Sequence, residues 1–322
     1  EYNLSVGVTA LDAVTTGDAN IAIGHDALSA NTTGSGNLAI GYGAYDNADT
    51  EGNNMAIGRD ALGGSINGGE TNIAIGNYSL DANTSGDLNI GLGYVSLTQN
   101  STGSSNVGIG NSAMQLNQTG SSNTTIGNNS MKSSLSSSYN TAVGAEALFD
   151  ANRTADTDGY NTALGYNAGN TGTNDITTGN KNTLLGASTA ASAAAGTNQT
   201  VIGFGASGTA DNSVTIGNSS VTAWYPGSDD TADLGSNSVE FKDLYIDGTA
   251  NLDAVDIDAG AIDGAAIGAN SASTGAFTTI TASTSLDVTG STGIILENDE
   301  TITNSTDTQI NMSSTTLVLG NG

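Results

Sequence analysis

Apolar and polar positions alternate with a fixed period over the first two-thirds of the chain. A Gly preceded by an aliphatic residue recurs thirteen times, at Gly7, Gly24, Gly41, Gly58, Gly76, Gly93, Gly110, Gly127, Gly144, Gly165, Gly186, Gly203 and Gly217. The steps between these positions run 17, 17, 17, 18, 17, 17, 17, 17, 21, 21, 17 and 14. Self-similarity at a fixed spacing is the signature of a repeat architecture. The residue before each Gly is Val, Ile or Leu; two places earlier stand Leu4, Ile21, Leu38, Met55, Ile73, Ile90 and Val107, then mostly Thr. Residues two apart share one face of a strand. Each copy therefore predicts a short strand with these two columns turned inward and a small residue, such as Ala22, Ala39, Ala56, Ala74 or Gly91, turned outward.

Three places after each Gly comes Ala, Ser or Thr, and next usually a bulky apolar residue: Leu11, Leu28, Tyr45, Leu62, Leu80, Leu97, Met114, Met131 or Leu148. This pair predicts a second short strand. A polar turn follows, as in Asn31-Thr32-Thr33-Gly34, where Asn and Gly tolerate a left-handed backbone. One copy cannot bury its apolar column alone, whereas stacked copies bury it continuously. The expected fold is all-β: a parallel β-roll or solenoid rod of thirteen coils over residues 1–221. At about 4.8 Å per coil the rod is roughly 60 Å long. Residues 222–248, with Trp224 and Pro226, predict a junction that caps the rod, and 249–322, alternating and Thr-rich, a β-rich trimeric fibre shaft.

Asn opens eleven of the thirteen copies, among them Asn20, Asn37, Asn54, Asn72, Asn89, Asn106, Asn123 and Asn140. Stacked side-chain amides can hydrogen-bond along a rod axis, so these residues predict a structural ladder rather than a ligand site. The glycines Gly24, Gly41, Gly58, Gly76, Gly93, Gly110, Gly127 and Gly144 are expected to be structural corners. Asn-x-Ser/Thr triplets such as Asn100-Ser101-Thr102 fit turn chemistry better than glycosylation. The two stretched steps, Gly144 to Gly165 and Gly165 to Gly186, mark longer turns, and insertions in a solenoid project from one face, often a binding face. Arg153, Tyr160, Thr173 and Asp175 are the candidate contact residues there.

Composition narrows the function. The 322 residues carry 32 acidic against five basic side chains, a formal charge of −27, with Arg59, Lys132, Arg153, Lys181 and Lys242 far apart. Phosphate neutralisation needs clustered cations, which argues against nucleic acid and against anionic membrane surfaces. No apolar run reaches the roughly 18–20 residues of a membrane span. The absence of Cys excludes disulfides and cysteine metal sites. The chain begins inside a repeat and without Met, which suggests a piece of a longer protein.

The Asn-x-Ala-Ile-Gly unit resembles the head repeat of trimeric autotransporter adhesins, which are left-handed parallel β-rolls with three chains side by side. The dominant step of 17 and the Asn-Thr-Thr-Gly turns look more like bacteriophage tail fibres; only the last step, of 14, matches the shorter adhesin repeat. Ala232-Asp233-Leu234-Gly235-Ser236 through Phe241-Lys242-Asp243-Leu244-Tyr245 to Asp247-Gly248-Thr249 is similar to a tail-fibre collar segment. Ile262-Asp263-Gly264 through Ile267-Gly268, and Ser273-Thr274-Gly275-Ala276-Phe277-Thr278-Thr279, are similar to another fibre repeat. The resemblance implies a homotrimeric structural fibre of a phage tail or related injection device. It would sit in the virion, join other tail or fibre proteins, and attach to a host-surface glycan or protein. The alternatives are the head of a bacterial surface adhesin and, lower, a polysaccharide-degrading spike.

Candidate chemistry is thin. His25 is the sole His, in a column that elsewhere holds Val8, Tyr42, Arg59, Asn77 and Tyr94, which reads as a permissive surface column. Carboxylates are many, including Asp253, Asp256 and Asp258, but no pair stands out for glycoside hydrolysis, and the calcium-binding nonapeptide is absent. The expectation is therefore no enzyme activity, no cofactor and no metal. Tyr42, Tyr78, Tyr94, Tyr160 and Tyr166 could stack on sugars or pack corners. Thr16, Thr33, Thr50 and Thr102 lie beside turns and are interrupted by Asn67 and Ser85, which argues against a flat hydroxyl face.

Overall fold

The computed structural model describes residues 2–151, 158–225 and ten positions between 234 and 247. Arg153, Pro226, the expected shaft 249–322 and part of the collar segment lie outside the described residues. The chain divides into two compact units, Glu1–Asp233 and Leu234–Gly322. In the second unit an antiparallel bridge joins Ser236 to Val239, and Lys242 Nζ lies 3.5 Å from Asp243.

The first unit is a β-solenoid. Thirteen short strands run in chain order: β1 (Leu4–Val6), β2 (Ile21–Ile23), β3 (Leu38–Ile40), β4 (Met55–Ile57), β5 (Ile73–Ile75), β6 (Ile90–Leu92), β7 (Val107–Ile109), β8 (Thr124–Ile126), β9 (Thr141–Val143), β10 (Thr162–Leu164), β11 (Thr183–Leu185), β12 (Thr200–Ile202) and β13 (Val214–Ile216). They form one parallel sheet in the same order, and no helix occurs among the described residues. Each strand pairs with the equivalent residues of the next, as in Ile21↔Leu38, Ala22↔Ala39 and Ile23↔Ile40. Parallel neighbours need a crossover between them, and here each crossover is one turn of the coil.

The sheet faces the opposite way from the sequence expectation. Ala22, Ala39, Ala56, Ala74, Ala142 and Ala163, at the strand centres, are fully buried. The flanking aliphatic residues face outward; Ile21 and Ile23 are exposed, and those of β3, β4 and β5 are half-buried. The physical reason is the wall across the core. Leu28, Tyr45, Leu62, Leu80, Leu97, Met114, Met131 and Leu148 are all buried and fill the interior. Opposite them there is room for little more than a methyl group. At Gly91 even a Cβ would lie 2.4 Å from Ser79 Oγ and 3.3 Å from Leu80. The small columns therefore line the core.

The expected second strand is a turn. Asp26 and Leu28 have φ of 57° and 51°, in the left-handed region, so Leu28 enters the core from a corner rather than from a strand. Its N–H still bonds to the next coil, donating to the Ala44 carbonyl at 3.1 Å. A chain that closes a coil within so short a repeat must bend several times, and left-handed residues supply the bends. The Gly after each strand is extreme. Gly24 has φ of 142°, and a Cβ there would lie 2.2 Å from the Gly41 carbonyl oxygen.

Longer steps are absorbed locally. Where the step from Gly58 to Gly76 runs one position over, the buried Glu51 carboxylate accepts N–H bonds from Asp49, Thr50 and, in the widened coil, Gly68. Between Gly165 and Gly186 the insertion turns Ile176 back into the core, where it is fully buried. At the rod end Val221 packs over Gly217, while Trp224 is 78% exposed. Asn218 still reaches the preceding coil, its Nδ2 donating to the Phe204 carbonyl at 2.7 Å, and most of the expected junction beyond Tyr225 lies outside the described residues.

Candidate functional site

The outward face of the sheet is a continuous uncharged surface running the length of the thirteen strands. Its two columns take the outer positions of all thirteen strands, and none carries a charge, on a chain of formal charge −27. One column runs Val6, Ile23, Ile40, Ile57, Ile75, Leu92, Ile109, Ile126, Val143, Leu164, Leu185, Ile202 and Ile216 without a polar interruption. The other is aliphatic through Val107 and Thr from Thr124 to Thr200. Leu4, Val6, Ile21, Ile23, Leu92, Ile126, Leu164 and Leu185 all count among the exposed large hydrophobics. Contiguous exposed apolar surface beyond a few hundred Å² marks an interaction site. Sequence reasoning put this face inside. The signal that could have found it is the middle column, held mostly to Ala and Gly, the size limit of a closely packed interior wall.

The opening Asn residues, Asn20 through Asn182, are buried beside the strands. Asn106 illustrates the pattern. Its Oδ1 accepts the backbone N–H of Asn123 at 3.0 Å, and its Nδ2 donates to the Gly120 carbonyl at 2.8 Å. Its own N–H donates to Asn89 Oδ1 at 3.0 Å. These amides hold one coil to the next, and each group left unpaired by truncation would cost about 1–3 kcal/mol. The Asn residues of the Asn-x-Ser/Thr triplets form a second buried ladder. Asn100 Nδ2 donates to Asn83 Oδ1 at 2.9 Å and Asn117 Nδ2 to Asn100 Oδ1 at 2.7 Å. Where Ser134 interrupts it, Asn117 Oδ1 and Ser134 Oγ are buried with no protein partner. The glycines Gly24, Gly41, Gly58, Gly76, Gly93, Gly110, Gly127 and Gly144 sit at the strand ends with φ between 131° and 143°.

On the corner beside the sheet, side chains of successive coils stack. His25 lies over Tyr42 with centroids 5.3 Å apart and an interplanar angle of 14°. The Arg59 guanidinium lies 5.4 Å from the Tyr42 centroid and 5.9 Å from that of Tyr78, which meets Tyr94 edge-on. His25 Nδ1 is also 2.6 Å from Asp26, and Arg59 Nε is 3.1 Å from Asp60. The faces of Tyr42 are thus taken by His25 and Arg59, which leaves ring edges for any ligand. Burial, then the neighbouring Asp60, Asp26 and Asp81, pushes the Asp46 carboxyl above its ordinary value; burial and Asp60 do the same to Asp81. Burial also pushes the Tyr45 phenol up, against the Asn54 amide that donates to it.

The described candidate contact residues make local contacts only. Tyr160 is half exposed, stacks on Tyr139 at 5.1 Å and 15°, and donates its hydroxyl to Asp158 at 2.8 Å. Thr173 is exposed. Asp175 accepts the Gly172 N–H at 2.6 Å and so holds its own turn. A shallow depression near the rod end is lined by Ser192, Ala193, Ala195, Gly196 and Asp211. The Asp211 carboxylate there is engaged by the Thr197 N–H and the Gln199 amide, which hold it below its ordinary value. Among the described residues no cluster of three His, Asp or Glu is arranged to hold a metal, and no helix is long and apolar enough to cross a membrane. No protein family, no curated protein and no solved structure matches the chain.

Proposed function

We propose that the chain is a homotrimeric structural fibre, of the kind found in phage tails or related injection devices, which attaches to a host-cell surface glycan or protein. The observation that carries the reading is the uncharged, largely aliphatic outward sheet face. A second copy is its best-matched occupant for two reasons. The face is a strip without carboxylates on a strongly anionic chain, so copies meeting there keep their charges apart. A partner must also match side chains repeating every ~4.8 Å, and an identical rod does so by construction. The trimeric number and the tail-fibre assignment come from the resemblance of the repeats and of the segments after Trp224. Attachment then works through reach and many weak contacts, with other fibre or tail proteins at the ends.

Sedimentation equilibrium on the chain tests the assembly. The expected particle has three times the 31.8 kDa chain mass, and Ile57→Asp with Ile75→Asp reduces it to a folded single chain. A wild-type monomer at micromolar concentration overturns the reading. Beads carrying the trimer are expected to retain cells of a susceptible host strain over beads carrying albumin. Equal retention across a broad strain panel sinks the attachment role.

A further inference from the structure

The outward face changes character halfway along the rod. In β1–β7 its first column is Leu4, Ile21, Leu38, Met55, Ile73, Ile90 and Val107. From β8 to β12 the same column is Thr124, Thr141, Thr162, Thr183 and Thr200, in register from strand to strand. Thr141, Thr162 and Thr183 are exposed, and Thr124 and Thr200 half-buried. None of these five hydroxyls hydrogen-bonds among the described residues; Thr125, by contrast, turns inward and donates to the Val107 carbonyl at 3.0 Å. The switch coincides with a second feature. The coils joining β9 to β10 and β10 to β11 are the two with the longest steps, 21 residues each, so the extra chain length falls within the half-hydroxyl section.

We infer that the seam between copies has two sections: a dry aliphatic clamp over β1–β7 and a hydrated, hydroxyl-lined section over β8–β12 that opens while the clamp holds. The inference rests on the homotrimer reading, with the sheet face as the seam. Its physics is direct. A hydroxyl taken out of water must find a partner, so a Thr column stays wet or bridges to its equivalents through water, and forgoes the burial that drives the aliphatic half together. Local opening concentrates where buried apolar contact is least. The section that opens also holds the two longest coils, so the three copies can part there while the aliphatic section keeps them together.

The chain has no Cys, so single thiols report the seam cleanly. Leu38→Cys and Thr162→Cys place a thiol in the same column of the two sections, and Thr173→Cys serves as an exposed reference. Iodoacetamide alkylation is followed on each variant after sedimentation has fixed its mass. In a trimer, the thiol of Thr162→Cys is expected to react within about tenfold of the reference, and that of Leu38→Cys about a hundredfold more slowly, the latter gap corresponding to ~2.8 kcal/mol of opening. Adding Thr124→Val, Thr141→Val, Thr183→Val and Thr200→Val to Thr162→Cys is expected to slow its alkylation at least about tenfold. A trimer in which both thiols are slow, or the Thr162→Cys thiol is the slower, overturns the two-section seam and leaves the homotrimer intact. A trimer in which both are fast places the seam elsewhere and overturns this inference. A single-chain mass for all variants and for the wild type removes the homotrimer reading itself.

Discussion

At the residue scale the solenoid is held by small geometric necessities repeated many times. Leu62, Leu80, Leu97 and Leu148 occupy the left-handed region at φ of 51°, 53°, 52° and 49°, a conformation that costs an L-residue roughly 1–2 kcal/mol. Core burial of about 1.5–3 kcal/mol per side chain offsets this at the leucines. It offsets nothing at exposed left-handed corners. Thr71, β-branched and exposed at φ 58°, is the clearest case, since the equivalent corner one coil earlier carries Asn53 at φ 60°. Thr71→Asn is therefore expected to stabilise the rod by about 1 kcal/mol, read as a higher midpoint in urea at unchanged slope. A lower midpoint would contradict the assignment of strain to this corner.

At the scale of the element, one coil is a short strand, a Gly corner, a left-handed turn and a polar return. The Gly is the point of closest approach between coils. A Cβ on Gly110 would lie 2.4 Å from the Gly127 carbonyl oxygen, with φ of 136° disfavouring any side chain besides. Gly110→Ala is expected to cost at least about 3 kcal/mol, since both the clash and the backbone penalty act at a mid-rod coil. Hydrogen exchange is the informative readout. Protection should fall around β6, β7 and β8 first, because each coil leans only on its neighbours. Uniform loss along the rod would mean that the stack melts as a single unit instead.

At the scale of the whole molecule, charge is the main opposing term. Asp46 and Asp81, half-buried two coils apart, have carboxyl groups pushed above the ordinary 3.8 by burial first and by other carboxylates second. A group whose folded value is raised holds its proton more tightly when folded. Stability therefore falls as pH rises from 3.8 through the raised values and is regained on acidification through the same window. Asp18 and Asp211, held low by backbone N–H groups, act oppositely, and only below 3.8. The expected outcome is a melting temperature that rises as the pH is lowered from neutral through the raised values toward 3.8. Asp46→Asn with Asp81→Asn should melt higher than wild type at pH 7 and show a flatter profile. A double variant that melts lower at pH 7 would show that these carboxylates support the fold rather than strain it.

The sequence by itself determined the period, the position of the strand before each repeat Gly, the Gly corners, the Asn residues that open the coils, and the all-β stacked architecture. These are local or strictly repeating features, and a repeat states them thirteen times. It did not determine which side of the strand is inside. Alternation distinguishes two faces but assigns neither to the core, and the aliphatic columns looked like the interior because apolar residues usually are. Only the closed coil decided that. The leucines arriving from the opposite corner fill the interior, so Ala22 and its equivalents fit beneath them, and the isoleucines are left on the outer face.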